Sequence, residues 1–473
     1  MKTVIMAGGF GTRIQEISRE IASQYKDLFN GNVDIPKPMI PIDGIPVLER
    51  ELECLVSQGY TDIILTVSYK HEVIEKYFAD GSGVSPATGK PFNAHISYFI
   101  EEIPLGNAGA LYKLFDDLSD EFLLLNADSV FHIDFDRIVQ YHINHHSIVT
   151  LFTHPNSHPY DSGLIITEPD GSGVVKSWLT KEDSRPQWYD NRVNAGLHVL
   201  SKDALSKAAE ISHIEIDRIG VADSETGKVY KVDLDRQILK PLCSEGVVYA
   251  YDSPEYVKDM GTPDRFYQVE RDYRNGTVHA KNLQNKQKAI FLDRDGTINK
   301  YIGFLRNINQ LELIDSVAEA IARINASGYL VIVVTNQPVI ARGEVTTEQL
   351  NNIHKKLQTL LGEHGAYIDG LYYCPHHPDK GFEGEIPELK IQCECRKPKP
   401  GLVLKAAKDF NIDLIDSWFV GDGKNDVQCG RNAGTHTALY IGSGSDGDHR
   451  GDGQLGQEMT VDSLINLCEA IGI

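Results

Sequence analysis

NGTVHAKNLQNKQKAIFLDRDGT, residues 275–297, is the stretch that decides how the chain is organised. Its first part, 275–287, carries few apolar residues and reads as a linker. Its second part turns abruptly apolar at Ala289–Leu292, a short β-prone run that ends in acidic residues. A domain ending near residue 274 and another starting at Lys288 are therefore expected. Toward the N-terminus, apolar runs at Thr3–Met6, Asp62–Val67, Ala94–Phe99, Phe122–Leu125 and Ile148–Phe152 alternate with helical patterns. Toward the C-terminus the same alternation restarts: a helix over Ser316–Ala326, a strand at Leu330–Val334, a helix over Thr347–Gly362 and a strand at Ser417–Val420. Both halves thus read as parallel α/β units, 1–274 and 288–473. Gly442–Gly456 (GSGSDGDHRGDGQLG) reads as a flexible loop.

Composition narrows the function classes. A chain of 473 residues has room for two or three domains, and 41% hydrophobic with 24% charged residues is a folded composition. A formal net charge of −21 argues against a nucleic-acid partner, while a local basic pocket can still hold a small phosphorylated ligand. No apolar run reaches the roughly 20 residues of a membrane span. The opening MKTVIMAGGFGTR has no signal-segment pattern, so a cytoplasmic protein without membrane partners is expected. Of seven cysteines, Cys374, Cys393 and Cys395 crowd into one region, a pattern for metal ligation. Cys54, Cys243, Cys429 and Cys468 are scattered and read as small buried hydrophobes.

In the front half, strand Thr3–Met6 runs into Ala7-Gly8-Gly9-Phe10-Gly11-Thr12-Arg13. Glycines at this spacing let backbone N–H groups turn around a phosphate, and Arg13 adds a cation. The loop has neither the dinucleotide fingerprint nor the Lys-Ser/Thr ending of a P-loop. Lys37 is stiffened between Pro36 and Pro38. Asp128 follows the apolar strand Leu123–Leu125, where ligands bind in open parallel sheets, and Asp259 lies in a turn-rich stretch.

Together these motifs resemble the sugar-1-phosphate nucleotidyltransferase family over roughly residues 1–270. The resemblance implies a Rossmann-like fold in which Gly8, Gly9, Gly11, Thr12 and Arg13 hold nucleotide phosphates. It implies that Lys37 stabilises the transition state and that Asp128 and Asp259 bind Mg²⁺. Glu102-Ile103-Pro104-Leu105-Gly106 is similar to the segment lining base and ribose, with Gly106 in contact with the nucleotide. Lys181 and Asn194-Ala195-Gly196 look like the elements that hold the sugar phosphate, chiefly through Asn194 and Gly196. The interval Ile14–Ile35 is longer than the family pattern, and Asn107 stands where a threonine is common.

In the back half, Asp293 and Asp295 sit two residues apart at a strand end and point the same way if the chain stays extended. One can then attack phosphorus while the other handles the leaving group's proton. Thr335-Asn336 and Arg396-Lys397 supply phosphate-binding groups, and Asp422 is a further strand-end acid. These elements resemble the haloacid-dehalogenase superfamily of phosphatases across residues 288–440. The resemblance implies Asp293 as nucleophile, Asp295 as general acid/base, Thr335, Asn336 and Arg396 at the phosphate, and Lys397 stabilising the intermediate. Asp293, the backbone of Asp295, and Asp422 would hold Mg²⁺, with Asp426 behind them. Cys374, His376, Cys393 and Cys395 form a set suited to structural Zn²⁺, with His377 turned away. Within the superfamily this loop resembles that of the heptose-bisphosphate 7-phosphatases more closely than that of the histidinol-phosphatases.

The pairing implies consecutive steps: loss of the 7-phosphate from D-glycero-α-D-manno-heptose 1,7-bisphosphate, then guanylyl transfer from GTP to the 1-phosphate. The alternatives are a mannose- or glucose-1-phosphate nucleotidyltransferase joined to a histidinol-phosphatase-like half, or one half kept as a regulatory module. Partners are then small molecules, namely sugar phosphates and a nucleoside triphosphate. An oligomer is allowed but not indicated.

Overall fold

The computed structural model describes residues 1–9, 12–180, 182–445 and 455–473. Gly11, Lys181 and residues 446–454 of the Gly/Asp-rich stretch lie outside the described residues, as does the side chain of Thr12. The chain divides into two compact units. The first comprises Met1–Thr153, Ile165–Trp178 and Asn194–Asn282; the second comprises His154–Leu164, Leu179–Val193 and Leu283–Ile473.

In chain order the first half forms β1 (Lys2–Met6), the short pair β2 (Pro41–Ile42) and β3 (Ile45–Pro46), β4 (Asp62–Val67), β5 (His95–Ile100) and β6 (Glu121–Asn126). There follow β7 (Ser129–His132), β8 (Val149–His154), β9 (Leu164–Thr167), β10 (Val175–Leu179), β11 (Val193–Ser201), β12 (Val248–Asp252) and β13 (Tyr256–Asp259). The main sheet has the order β10-β9-β11-β6-β1-β4-β5, with β8 joining β11 to β12. Its central strands β6, β1, β4 and β5 are parallel, and β11 returns antiparallel against β6. A parallel sheet covered on both faces requires continuous apolar strands, and the side chains alternate between faces. Val4 and Leu124 accordingly pack into one core cluster, while Ile5, Leu123 and Leu125 pack into the other.

The second unit repeats the logic with β14 (Ala289–Leu292), β15 (Leu330–Asn336), β16 (Gly370–Cys374), β17 (Trp418–Gly421), β18 (His436–Tyr440) and β19 (Met459–Val461). All pairs in the order β16-β15-β14-β17-β18-β19 are parallel. Ile290, Leu292, Val331 and Val333 face one core; Ala289, Phe291, Leu330 and Ile332 face the other. Helices Val317–Ala326 and Thr347–Glu363 fall where the apolar spacing places them. The strands at positions 3, 62, 94, 122, 148, 289, 330 and 417 likewise form within a residue or two of the sequence reading.

Two stretches differ from the sequence reading. Residues 275–287, expected as a linker, contain the helix Thr277–Ala280 and bury Val278 (0% exposed), Leu283 (2%) and Asn282 (1%). Polar residues can occupy such a place when their groups are paired, and Asn282 Nδ2 lies 2.9 Å from His132 Nδ1. The interval Ile14–Ile35, longer than the family pattern, begins with the helix Gln15–Gln24, which anchors Ile21 and Ala22 in two core clusters. No helix among the described residues is long and apolar enough to cross a membrane.

His198 on β11 is 1% exposed, and burial lowers its imidazole to about 4 from the usual 6.5. A histidine kept neutral in the folded state contributes fully above pH 6.5, and its contribution is lost as pH falls below that value. Urea unfolding at pH 7.5 and pH 5.0 should therefore show an acid loss of about 2 kcal/mol that His198→Asn removes. An equal acid loss in both proteins would contradict this.

Candidate active sites

In the first unit the carboxyl ends of the central parallel strands open into a cavity of about 510 Å³ lined by Gly8, Gly9, Arg13, Lys37, Asp128 and Asp259, among others. Strand β13 pairs antiparallel with β7 so that Asp259 stands opposite Ser129, and this register carries Asp259 to Asp128. Lys37 closes the arrangement: its Nζ lies 2.8 Å from Asp128 Oδ2 and 3.7 Å from Asp259 Oδ1, and the side chain is 9% exposed. Residues 91 and more positions apart in sequence thus meet at one ammonium. Asp259 also accepts from the Gly261 N–H at 2.5 Å and pairs with Arg265. Behind them Glu51 is buried, with no hydrogen-bond partner for either oxygen among the described residues; burial raises its carboxyl well above the usual range, Asp128 adds to that, and Lys37 opposes it.

The glycine loop shows the openness that the sequence implies. Among the described residues, a Cβ at Gly9 would meet no atom within 4 Å. Gly106, at φ +86°, lets Val232 approach so closely that an added Cβ would stand 2.3 Å from its carbonyl oxygen. Asn107 does not act as a threonine surrogate alone: its Oδ1 accepts from the Leu234 N–H at 2.7 Å and ties the cavity wall to the next segment. Asn194 and Gly196 lie on β11. Asn194 Oδ1 pairs with His198 Nε2 at 3.2 Å, and Gly196 stands against the amide of Asn126, itself a cavity residue.

Two charged cavity residues, Glu101 and Lys231, escaped the sequence reading. Glu101 lies one position before the quoted segment; burial raises its carboxyl, while the Leu105 N–H (3.1 Å) and Lys231 pull the other way. Lys231 lines the same cavity from a stretch with no motif to mark it.

In the second unit Asp293 follows β14 and its N–H continues the ladder to Val420 O at 2.9 Å. Lys397 is 3% exposed and its Nζ lies 2.7 Å from Asp293 Oδ1, 2.7 Å from Asp426 Oδ1 and 2.9 Å from Val334 O. Burial works against the ammonium, but the charges of Asp293 and Asp426 outweigh it and raise Lys397. Oxygens of Asp293, Asp422 and Asp426 lie within 4.8 Å of one another, a spacing that suits a hard divalent cation. Asp426 has its second oxygen on the Gly423 N–H at 3.0 Å, so Asp293 and Asp422 are the pair best placed to hold it.

Asp295 stands apart from that group. Its carboxylate is gripped by Arg294 (2.8 and 2.9 Å), Asn299 Nδ2 (3.0 Å) and Gln337 Nε2 (2.8 Å). Arg294 is fully buried and also reaches His354 Nε2 at 3.1 Å, so neutral His354 is the acceptor. Gln337 extends to Thr335 Oγ1 at 2.9 Å, and Asn336 exchanges two hydrogen bonds with the Lys397 backbone. The expected phosphate groups Thr335 and Asn336 thus also hold the acid and the lysine loop. Arg396 donates to His376 O at 3.3 Å. Arg294, within the opening stretch, and Gln337, directly after Asn336, carried no role in the sequence reading, and only their burial reveals one.

Cys374, His376, Cys393 and Cys395 converge with donor atoms within 4.8 Å. The Cys374–Cys393, Cys374–Cys395 and Cys393–Cys395 sulfur separations are 3.6, 3.1 and 3.3 Å, and His376 Nδ1 is 3.2 Å from Cys395 Sγ. A tetrahedral ion with bonds near 2.0–2.3 Å demands donor edges of about 3.5–3.8 Å, so a small expansion of the donor set is all that separates the two.

Comparison with known proteins adds independent findings. The nucleotidyl transferase family matches residues 2–276, and the haloacid dehalogenase-like hydrolases match residues 242–434. The D-glycero-beta-D-manno-heptose-1,7-bisphosphate 7-phosphatase of Yersinia pestis is 38% identical over 183 residues, 39% of this chain and 94% of that protein. Its namesake in Pasteurella multocida (strain Pm70) is 41% identical over 158 residues, 33% of this chain and 83% of that one. The crystal structure of HddC from Yersinia pseudotuberculosis aligns at 24% identity and TM-score 0.43, covering 57% of this chain and 99% of that one.

Gly296 adopts φ +82° and passes so close to Asp422 that a Cβ would stand 1.9 Å from Oδ2. Gly296→Ala should displace that carboxylate and weaken Mg²⁺ binding, read by isothermal titration, at least about tenfold. Unaltered binding would show that Asp422 does not hold the ion.

Proposed function

Because the chain belongs to the nucleotidyl transferase family through residues 2–276 and to the heptose-bisphosphate phosphatase branch of the haloacid dehalogenase-like hydrolases in its second half, we propose that it carries out two consecutive steps of nucleotide-activated heptose synthesis. The observation that carries this reading is the presence on one chain of a near-complete heptose-bisphosphatase counterpart and a cavity furnished with Lys37, Asp128 and Asp259.

The first step removes the 7-phosphate. An Asp293 oxygen attacks phosphorus while Asp295 protonates the departing sugar oxygen, and water then opens the aspartyl phosphate with Asp295 as base. Lys397, its charge fixed by three hydrogen-bonded partners, steadies the phosphoryl oxygens beside Asp293. In the second step an oxygen of the sugar 1-phosphate attacks the α-phosphorus of the nucleoside triphosphate and pyrophosphate departs. Both reactants are anions, so positioning and neutralisation by Arg13, Lys37 and the glycine-loop N–H groups do the catalysis. Mg²⁺ at Asp128 and Asp259, and at Asp293 and Asp422, would supply further charge neutralisation. Zn²⁺ at Cys374, His376, Cys393 and Cys395 would be structural, since the four donors leave no open position.

GTP is the favoured nucleotide. Guanine offers N–H donors on its base-pairing edge, and Glu101 is an acceptor-only carboxylate on the cavity wall when ionised. The curated relatives are named for the β-bisphosphate. The α-anomer is preferred here because the front half resembles enzymes that act on α-linked sugar 1-phosphates.

Mass spectrometry of products from heptose 1,7-bisphosphate, offered as each anomer with Mg²⁺ and equal amounts of four nucleoside triphosphates, tests the whole reading. The α-anomer should give a single GDP-heptose. Asp293→Asn should lower phosphate release at least about a thousandfold and spare transfer from heptose 1-phosphate. Lys37→Ala should lower transfer about a hundredfold or more and spare phosphate release. Heptose 1-phosphate accumulating with no nucleotide sugar would remove the assignment of the front half. For the cysteine site, elemental analysis should find one Zn²⁺ per chain, lost together with thermal stability in Cys393→Ser. A metal-free native protein of unchanged melting temperature would refute the zinc site.

A further inference from the structure

Asp295 carries the proton chemistry proposed for the phosphatase half, and a general acid works only when its carboxyl is aimed at the leaving oxygen. That aim depends on Arg294. Backbone contacts pin the turn around it: the Arg294 N–H donates to Asp293 Oδ1 at 2.7 Å, and Arg294 O accepts from the N–H groups of Ile298 (2.9 Å) and Asn299 (3.0 Å). With its backbone fixed, the Arg294 side chain folds back onto the next residue. Its Nε donates to Asp295 Oδ1 at 3.2 Å, and its Nη2 lies 2.9 Å from Oδ1 and 2.8 Å from Oδ2. Asn299 and Gln337 each reach one oxygen of Asp295, whereas the guanidinium spans both.

The other end of that guanidinium is held too. Nη1 of Arg294 donates to His354 Nε2 at 3.1 Å, from a residue 60 positions away on the helix Thr347–Glu363. An arginine has donors and no acceptor, so the ring nitrogen must accept. Burial and the Arg294 charge both hold His354 well below its usual range, which keeps that nitrogen an acceptor. Arg294 is 0% and His354 4% exposed, so neither can exchange this bond for one to bulk water. We infer that His354 is a positioning residue for phosphate ester cleavage: it anchors the far end of the Arg294 guanidinium, and through it the orientation in which Asp295 delivers its proton. In that step an oxygen of Asp293 bonds to phosphorus, the bond from phosphorus to the sugar oxygen breaks, and the proton of Asp295 passes to that oxygen. The inference rests on the acid role proposed for Asp295 and extends it to a histidine that no motif marks.

Leaving-group chemistry separates positioning from a purely structural role. A sugar alkoxide needs the proton, whereas 4-nitrophenolate departs without one. In the full chain, His354→Phe should slow single-turnover release of heptose 1-phosphate from the bisphosphate about thirtyfold. First-turnover release of 4-nitrophenolate from 4-nitrophenyl phosphate should change by less than about threefold. His354→Gln, which restores an acceptor, should return sugar release to within about threefold of the unaltered protein. Arg294→Lys keeps the charge but loses the fork; it should separate the two substrates in the same way, and it carries the test if His354→Phe does not fold. Equal losses on both substrates, or no loss on either, would overturn the inference and leave the acid role of Asp295 standing. An Asp295→Asn protein that releases heptose 1-phosphate at the unaltered rate would remove that acid role, and the inference with it.

Discussion

A buried ammonium wedged between two carboxylates organises each half of this protein. Lys37 is 9% exposed between Asp128 and Asp259, and Lys397 is 3% exposed between Asp293 and Asp426. Removing such a lysine from water is costly, and the cost is offset only when its charge and its donors are both matched. That requirement dictates the surroundings. It needs acids from separate elements to converge: Asp293 just after β14 and Asp426 in the helix Lys424–Ala433 in the second unit, and in the first unit Asp128 just after β6 with a register between β7 and β13 that brings Asp259 from the far end of the domain. It also holds a carboxylate oxygen of each partner within 3.7 Å of the ammonium. Each site is thus assembled by the electrostatics of its lysine before a phosphate arrives.

The sheets were legible because parallel strands must be apolar along their whole length, and residues such as Leu123–Leu125 or Leu330–Val334 have no other use. Site residues were legible where backbone and side-chain chemistry coincide at a strand end, as in Asp293 and Asp128. Arg294 was not, since an arginine between two aspartates looks solvated until its complete burial against Asp295 and His354 is seen. Glu101 and Lys231 enter the cavity through the path of the chain, which local pattern does not encode. The last division between the compact units falls at Asn282–Leu283, inside the stretch 275–287 expected as a linker, but that stretch is not solvated. Asn282 and its neighbours are polar by composition yet buried by pairing, and composition alone counts them as exposed.

The two halves use their surplus polar residues differently. In the phosphatase half Thr335, Asn336, Gln337 and Asn299 are all tied into one network around Asp295 and Lys397. Such a network loses little when substrate binds, because its members are already ordered. The transferase cavity is more open, with Asp128 and Asp259 48% and 41% exposed, and it depends on its ligand's charge to complete it. A pocket that must admit a nucleoside triphosphate and then release a larger nucleotide sugar gains from that incompleteness.

The interleaved course of the chain bears on its birth at the ribosome. Residues 154–164 and 179–193 are synthesised long before the helix Thr347–Glu363 that receives them, a delay on the order of ten seconds at ordinary elongation rates. During that interval Leu164, Tyr189 and Val193, which end as a small buried cluster with Leu179 packed against it, lack the helix that later receives their segments. Two early-made pieces of the second unit therefore wait, and that unit cannot be completed until the helix Thr347–Glu363 has emerged.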